Sequence, residues 1–235
     1  MQKSWPANHC PKPSQNERRS GVSVAMLEAA PVEESGGNSR FAGGVMRFAY
    51  SSVEDLQKVT DIPADEVTTV DWDSNTIDEF YDDLYRVTAF RTDPNLSETL
   101  ITKSHEGMVW ARGQGAKFVP NYGAQSKIIN GKRVFHGRFP LTVNGGGAGL
   151  VEDLTKTAEK KGVKIFYETR AIELIYDGKQ VNGVRAKQKG EVVEFHAKAV
   201  VLACGGFESN PEWRTKYIGP GWELAKVRGT RWNMG

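Results

Sequence analysis

The chain has 235 residues, 39% of them hydrophobic, enough to bury a substantial core in one large domain or in one domain and part of another. Its 31 Lys and Arg against 29 Asp and Glu leave a formal charge of +2 with no face-forming basic run, which excludes partners chosen by bulk charge, nucleic acid and membrane surfaces among them. Cys10 and Cys204 are far apart without CxxC spacing, which argues against a disulfide frame or a zinc site and fits a reducing, cytoplasmic compartment; no apolar run has the length of a membrane span or of a signal peptide.

Residues 1–20 carry Pro6, Pro11 and Pro13, almost no aliphatic side chains and no periodicity, and are expected to be disordered, with neither strand nor helix. The run VSVAML, Val22 to Leu27, is short, apolar and bounded by Gly21 and Pro31, as suits a strand buried on both faces in a parallel sheet. Glu28 closes it, and a polar loop with Gly36, Gly37, Gly43 and Gly44 follows. Ser74 to Phe90 places Ile77, Phe80, Tyr81, Leu84 and Val87 at helical spacing, and Pro94 to Arg112 predicts a second long helix holding Leu96, Leu100 and Trp110. AKFVP, SKIIN and KRVFHG read as short strands, with Asn130-Gly131 as a hairpin turn.

Farther on, GGGAGLVEDLTKTAEKKG predicts a glycine-led helix ending at Gly162, and VKIFYE a strand. Ala171 to His196 predicts three strands turned at Asp177-Gly178 and Lys189-Gly190. KAVVLACGGF reads as another fully apolar strand running into paired glycines. Parallel-type strands near both ends, with helices and an antiparallel ribbon between them, describe a doubly wound α/β domain with insertions.

Glu28 poses the chemical question. In a dinucleotide-binding unit a carboxylate at the end of the second strand accepts hydrogen bonds from the adenosine ribose, about 20 residues beyond the glycines that receive the diphosphate. Counting back from Glu28 reaches Trp5 to Cys10, WPANHC, which has no glycine; a nicotinamide-dependent dehydrogenase therefore lacks its fingerprint here. Each candidate also has a plain structural reading. Glu28 alone also fits a solvated strand-end carboxylate, and Gly145 to Gly149 fit a flexible turn before a helix. Cys204 reads as a small buried hydrophobe, and His105, His136 and His196 have no ligand spacing. His136 to Arg138 could face an anionic substrate or form a solvated hairpin end, and Trp110, Trp213, Trp222 and Trp232 read as core or cap packing.

Taken in order, LEAAP…GGNSRFAGG, GGGAGLVEDLTKTAEKKGVKIFYETRAIELI, AVVLACGGF and GTRWNMG resemble the successive landmarks of the fumarate reductase/succinate dehydrogenase flavoprotein family, and within it most closely the FAD-dependent tricarballylate dehydrogenases. The resemblance runs from about Gly21 to Gly235. It implies an α/β fold: a partial doubly wound, Rossmann-like FAD-binding domain over residues 21–206, with a helical insertion and a three-stranded antiparallel ribbon. Residues 207–235 would begin an inserted α+β capping domain, the chain being incomplete at both ends.

The resemblance further implies that Glu28 binds the adenosine ribose with Ala29 beside it. Gly36, Gly37, Asn38 and Ser39 would offer amides and a hydroxyl to the diphosphate, while Gly43 and Gly44 would let backbone approach the flavin ring. Ala171 falls where the family's backbone meets the adenine. Ala203, Gly205 and Gly206 match a strand-end turn of the family, with Cys204 replacing its threonine, a poorer hydrogen-bond partner. No histidine lies between Ser35 and Gly44, so FAD would be held non-covalently. The implied activity is an FAD-dependent oxidoreductase's hydride transfer between flavin N5 and a carbon of a small-molecule carboxylate, making or reducing a C=C bond. No catalytic residue is nominated, no metal is implied, and a partner or complementing fragment is not identified. The alternative is a non-catalytic remnant with weak or no nucleotide binding.

Overall fold

The computed structural model describes residues 3, 4 and 22–235. In chain order they form β1 (Lys3–Ser4), β2 (Ala25–Leu27), α1 (Val53–Gln57), α2 (Ala64–Thr69), α3 (Ile77–Thr88), α4 (Pro94–Gly113), β3 (Phe118–Pro120) and α5 (Tyr122–Gln125). There follow β4 (Ser126–Ile129), β5 (Lys132–Phe135), β6 (Leu141–Val143), α6 (Gly146–Lys160), β7 (Lys164–Phe166), β8 (Thr169–Tyr176), β9 (Val181–Gln188), β10 (Glu191–His196) and α7 (Pro211–Tyr217). Two compact units result: Ala42–Leu154, and the described residues up to Phe41 together with Thr155–Gly235.

The Ala42–Leu154 unit has the larger apolar core. Phe48, Tyr50, Leu56, Val59, Trp72 and Met108 bury their side chains together with Phe118, Phe135, Leu141 and Val143. Each such aliphatic or aromatic side chain withdrawn from water contributes about 1.5–3 kcal/mol. α3 starts where Thr76 and Glu79 form a reciprocal capping box, and stops at Ala89 and Phe90, both in the left-handed region. Asp93 caps α4 by accepting from the amides of Asn95 and Leu96, with Pro94 in the first turn. The Asn130-Gly131 turn joins β4 to β5 with both residues at positive φ, 50° and 80°, as a two-residue hairpin requires. β3 and β6 form a second antiparallel pair.

Three sequence expectations need correction in this unit. On α4 the inward face holds Ser97, Ile101 and Met108, whereas Leu96, Leu100 and Trp110 are exposed: the buried stripe includes a small polar residue that an apolar pattern overlooks. The expected core role of Trp110 therefore fails, and Trp72 occupies the core instead. Arg138 is no solvated hairpin end. It donates to Asp83 (2.7 Å) and Glu79 (3.1 Å), and Asp83 also accepts from Arg47 (2.6 Å) and Arg86 (3.0 Å). The short helices α1, α2 and α5 had no counterpart in the sequence reading.

In the other unit, β2 pairs in parallel with β7 (Ala25 with Lys164 to Leu27 with Phe166). β8, β9 and β10 form the expected antiparallel ribbon, turned tightly at Lys189-Gly190, both at positive φ. β1 pairs in parallel with the free edge of β10 at Lys3↔Val193, so Lys3 and Ser4 form a strand where none was expected; the rest of the segment expected to be disordered lies outside the described residues, as does Cys10. VSVAML does not form a strand buried on both faces, since Val22, Val24 and Met26 are exposed and only Ala25 to Leu27 join a ladder. KAVVLACGGF forms no strand: Val201 is 88% and Leu202 68% exposed, and Cys204 is exposed too. An apolar run supplies the side chains of a buried strand, but a strand needs a ladder partner, and residues 198–206 join no ladder among the described residues. Trp222 is likewise exposed.

Candidate cofactor site

The end of β2 is fixed by main-chain bonds on both sides of Glu28. Its amide donates to the Phe166 carbonyl (2.9 Å), its carbonyl accepts from the Thr169 amide (2.9 Å), and the Glu168 amide donates to Ala30 (3.1 Å). Strand pairing thus continues one residue past β2 and delivers the start of β8 beside Glu28. Ala171 lies two residues farther along β8, opposite Ala186, with its side chain exposed.

The Glu28 carboxylate, half-buried, turns toward the loop that follows it. One oxygen accepts from the Ala30 amide (2.9 Å) and the other from the Gly36 amide (3.3 Å). Bringing Gly36 back onto the acid takes positive φ at two successive positions, 101° at Gly36 and 55° at Gly37, a path open to glycine at little cost. The Gly37–Phe41 turn comes next, with the Ser39 hydroxyl exposed and the space where a Gly37 side chain would stand empty.

A segment near the end of the chain holds this loop. The Asn38 side-chain oxygen accepts from the Thr230 amide (3.0 Å) and sits so near Gly229 that a side chain there would collide with it. Glu34 receives both Arg231 nitrogens (2.9 and 2.8 Å) and the Trp232 indole N–H (2.6 Å). The Trp232 bond, then the Arg231 guanidinium, hold the Glu34 carboxyl below its ordinary value. The same segment reaches the glycine pair after residue 204. At Gly205 (φ +73°) a Cβ would stand 2.9 Å from the Asn233 side-chain oxygen, Gly206 accepts from the Gly235 amide (3.1 Å), and Ser209 donates to Asn233 (2.9 Å).

Glu28, the Gly36–Asn38 loop, Gly205 and Gly206 are therefore joined into one neighbourhood by direct bonds or through residues 229–235. Ala29 is half-buried beside Glu28, and Ala203 is exposed. Gly43 and Gly44 belong to the Ala42–Leu154 unit. There Gly44 (φ +81°) lets two main chains touch, since a Cβ on it would lie 2.8 Å from the Gly146 Cα; the Gly145–Gly149 run is thus packed backbone, not a slack turn. Gly43 is different. It lies outside the left-handed region and nothing stands within 4 Å of its missing side chain, so neither conformation nor internal packing requires glycine there.

Sequence reasoning missed Glu34, Arg231 and Asn233, and assigned Trp232 to packing alone. The available signal was GTRWNMG itself, whose polar residues could have been matched to polar residues of the glycine loop. Among the described residues, no three His, Cys, Asp or Glu side chains gather as a metal would need, and no helix is long and apolar enough to cross a membrane.

Comparison with known proteins gives this arrangement a context. The chain is 29% identical over 196 residues to a fumarate reductase (cytochrome) of Shewanella frigidimarina, and 28% identical over 201 residues to a urocanate reductase of Eggerthella lenta. These alignments take in 82% and 84% of this chain but 30% of each relative, so the chain spans under a third of their length. Its fold matches the open conformation of a flavocytochrome c3 fumarate reductase with a TM-score of 0.63 at 22% identity, over 91% of this chain and 34% of that one. A 3-ketosteroid-Δ4-(5α)-dehydrogenase from Rhodococcus jostii RHA1 matches equally, with a TM-score of 0.63 at 22% identity over 86% and 44%. These are flavoprotein oxidoreductase folds of the Rossmann-like type. The family model described as FAD binding domain matches residues 17–226, and the chain belongs to that family.

Proposed function

We propose that this chain is the FAD-holding part of an oxidoreductase of the fumarate reductase type, acting on a small carboxylate-bearing substrate. The observation that carries the reading is the Glu28 carboxylate at the end of β2, shaping the Gly36–Gly37 loop and retaining lone pairs for a ribose. A carboxylate accepts about four hydrogen bonds, and two are used here. Glu28 and Ala29 would hold the adenosine ribose, with Ala171 beside the adenine. The amides of Gly36, Gly37 and Asn38 and the Ser39 hydroxyl would take the diphosphate, where side-chain-free backbone turns its N–H groups outward. Gly43 and Gly44 would border the flavin, as would Ala203, Gly205 and Gly206.

Bound flavin supplies hydride transfer at N5; the residues of this chain bind it, orient it and keep water from it. With no histidine between Ser35 and Gly44, the attachment is non-covalent. In this reading residues 21–206 belong to the FAD-binding domain, residues 207–235 begin a capping domain, and the compartment is the cytoplasm. The narrower likeness to tricarballylate dehydrogenases rests on motif order alone.

The test is direct. The purified full chain, incubated with FAD and freed of excess, is expected to carry flavin absorbance that denaturation releases completely, and Glu28→Gln is expected to retain less. A chain that takes up no FAD overturns the proposal, and flavin that stays with the denatured polypeptide overturns the non-covalent assignment.

A further inference from the structure

α4 has two apolar faces, and the fold of its own unit uses one. The inward face buries Ser97, Ile101 and Met108, and the polar side chains that tie the helix down leave from the same side. Ser104 accepts from the Ala49 amide (2.8 Å), His105 meets the Asp55 carbonyl (2.9 Å), and Arg112 donates to the Gln57 carbonyl (2.9 Å) and to Asp61 (2.7 Å). At about 100° per residue all six positions fall within one arc of the helix.

Leu96, Leu100, Lys103, Gly107 and Trp110 occupy a second arc, and they follow one another at steps of four, three, four and three residues, the repeat of a seam between two helices. Leu96 is 70%, Leu100 55% and Trp110 65% exposed, and open space lies where a Gly107 side chain would stand. Two leucines and a tryptophan aligned along about 21 Å of helix form a patch, unlike apolar residues scattered singly over a surface. The stripe is also its own complement. With two copies laid antiparallel about a two-fold axis at Lys103, Leu96 of each meets Trp110 of the other, and Leu100 meets the gap at Gly107. Each Lys103 brings its own Glu106, 2.9 Å away, so the centre of the pair holds two charges of each sign. Sliding one copy by a turn sets a leucine against Lys103 in one direction and against Gln114 in the other. Parallel copies would set Gly107 against Gly107 and leave the gap unfilled.

We propose that the outer face of α4 is the contact between two copies of this chain, packed antiparallel about Lys103. One pair of 20-residue helices buries less than the roughly 1,200 Å² of a standard stable interface, so the dimer is a weak one, with a dissociation constant on the order of 10 μM. The contact does not depend on the FAD reading.

The experiment is sedimentation equilibrium of the full chain, from about tenfold below to about tenfold above that concentration, where monomer is expected to give way to dimer. Gly107→Gln is the decisive variant. Its side chain meets no atom of its own copy and replaces a poor helix former, so the fold should be at least as stable. Yet it fills the gap that Leu100 of the other copy enters, and association should weaken about tenfold or more. Leu100→Glu, at an exposed position, should leave no dimer over the same range, and if it fails to fold Gly107→Gln carries the test alone. In a chain with Cys10 and Cys204 replaced by Ser, Lys103→Cys should form a disulfide between copies on mild oxidation, whereas Glu98→Cys, exposed on the far side of the helix, should not. A chain that stays monomeric throughout, self-association that survives either substitution, or equal cross-linking at positions 98 and 103 overturns the proposal.

Discussion

Gly44 and Gly43 are neighbours in sequence, yet the structure assigns them opposite reasons for being glycine, and a pair of substitutions separates the two. At Gly44 an added Cβ meets the Gly146 Cα at 2.8 Å, its carbonyl carbon at 3.1 Å and the Val143 Cβ at 3.2 Å. Neither main chain is free to withdraw, because Val143 donates to the Gly44 carbonyl (2.9 Å) and Gly147 to the Ala42 carbonyl (2.9 Å). Left-handed backbone costs a non-glycine residue about 1–2 kcal/mol, and overpacking adds about 1–3 kcal/mol. Gly44→Ala should thus lose about 2–5 kcal/mol, a large share of the stability of an ordinary domain. Gly43→Ala meets nothing within 4 Å and adopts no unusual φ, so it should hold its stability or gain up to about 1 kcal/mol from a less flexible unfolded chain. Guanidinium unfolding followed by far-ultraviolet circular dichroism gives the midpoints. A Gly44→Ala midpoint equal to that of the parent, or an equal loss in both variants, would refute the packing account.

Two further outcomes concern protons. Asp83 accepts from three arginines, and the Arg47 bond first, then that of Arg86, holds its carboxyl well below the ordinary aspartate value. A depressed carboxyl stabilises the fold above the unfolded aspartate value, about pH 4, and the contribution fades as pH falls below it. Asp83→Asn should therefore cost about 1–2 kcal/mol at pH 7, the sum of three partly exposed pairs, and the difference from the parent should shrink in unfolding curves recorded below about pH 4. A difference independent of pH would rule out the charge as its source. Tyr122 behaves in the opposite sense: burial, and then its hydrogen bond to Glu66, push its hydroxyl up to about 12. Its contribution is intact below the ordinary tyrosine value of about 10 and is lost as pH rises toward 12. Absorbance titration at alkaline pH should lose one late phenolate step in Tyr122→Phe, while that of the more deeply buried Tyr50 stays in both proteins; a missing step at ordinary pH would contradict the assignment.

Features set by a few adjacent residues were legible in the sequence. Asn130-Gly131 makes its hairpin because both residues tolerate positive φ, and the β8–β10 ribbon turns where Asp177-Gly178 and Lys189-Gly190 allow. The place of Glu28 at the end of β2, ahead of the glycine loop, was legible too, since the apolar run stops at it. What depended on distant partners was not. VSVAML and KAVVLACGGF have the composition of buried strands, but burial depends on what packs above and below them. Helical spacing found α4 and missed its face, because Ser97 is buried there while Leu96 and Leu100 are exposed. The Glu34–Arg231 pair joins residues 197 apart, and no local periodicity carries such a pairing.

The two roles of Glu28 decide which substitution informs about the cofactor. Its carboxylate holds the Gly36 amide and so shapes the loop, besides being the proposed ribose ligand. Removing the acid alters the loop and the ligand together, and a loss of FAD in Glu28→Gln alone would not separate them. Gly43→Ala leaves every bond described here in place, because its new methyl group enters space that no protein atom occupies. If that variant keeps its unfolding midpoint yet takes up less FAD, the empty space at Gly43 is space a ligand uses; if it takes up FAD as the parent does, Gly43 does not border the flavin.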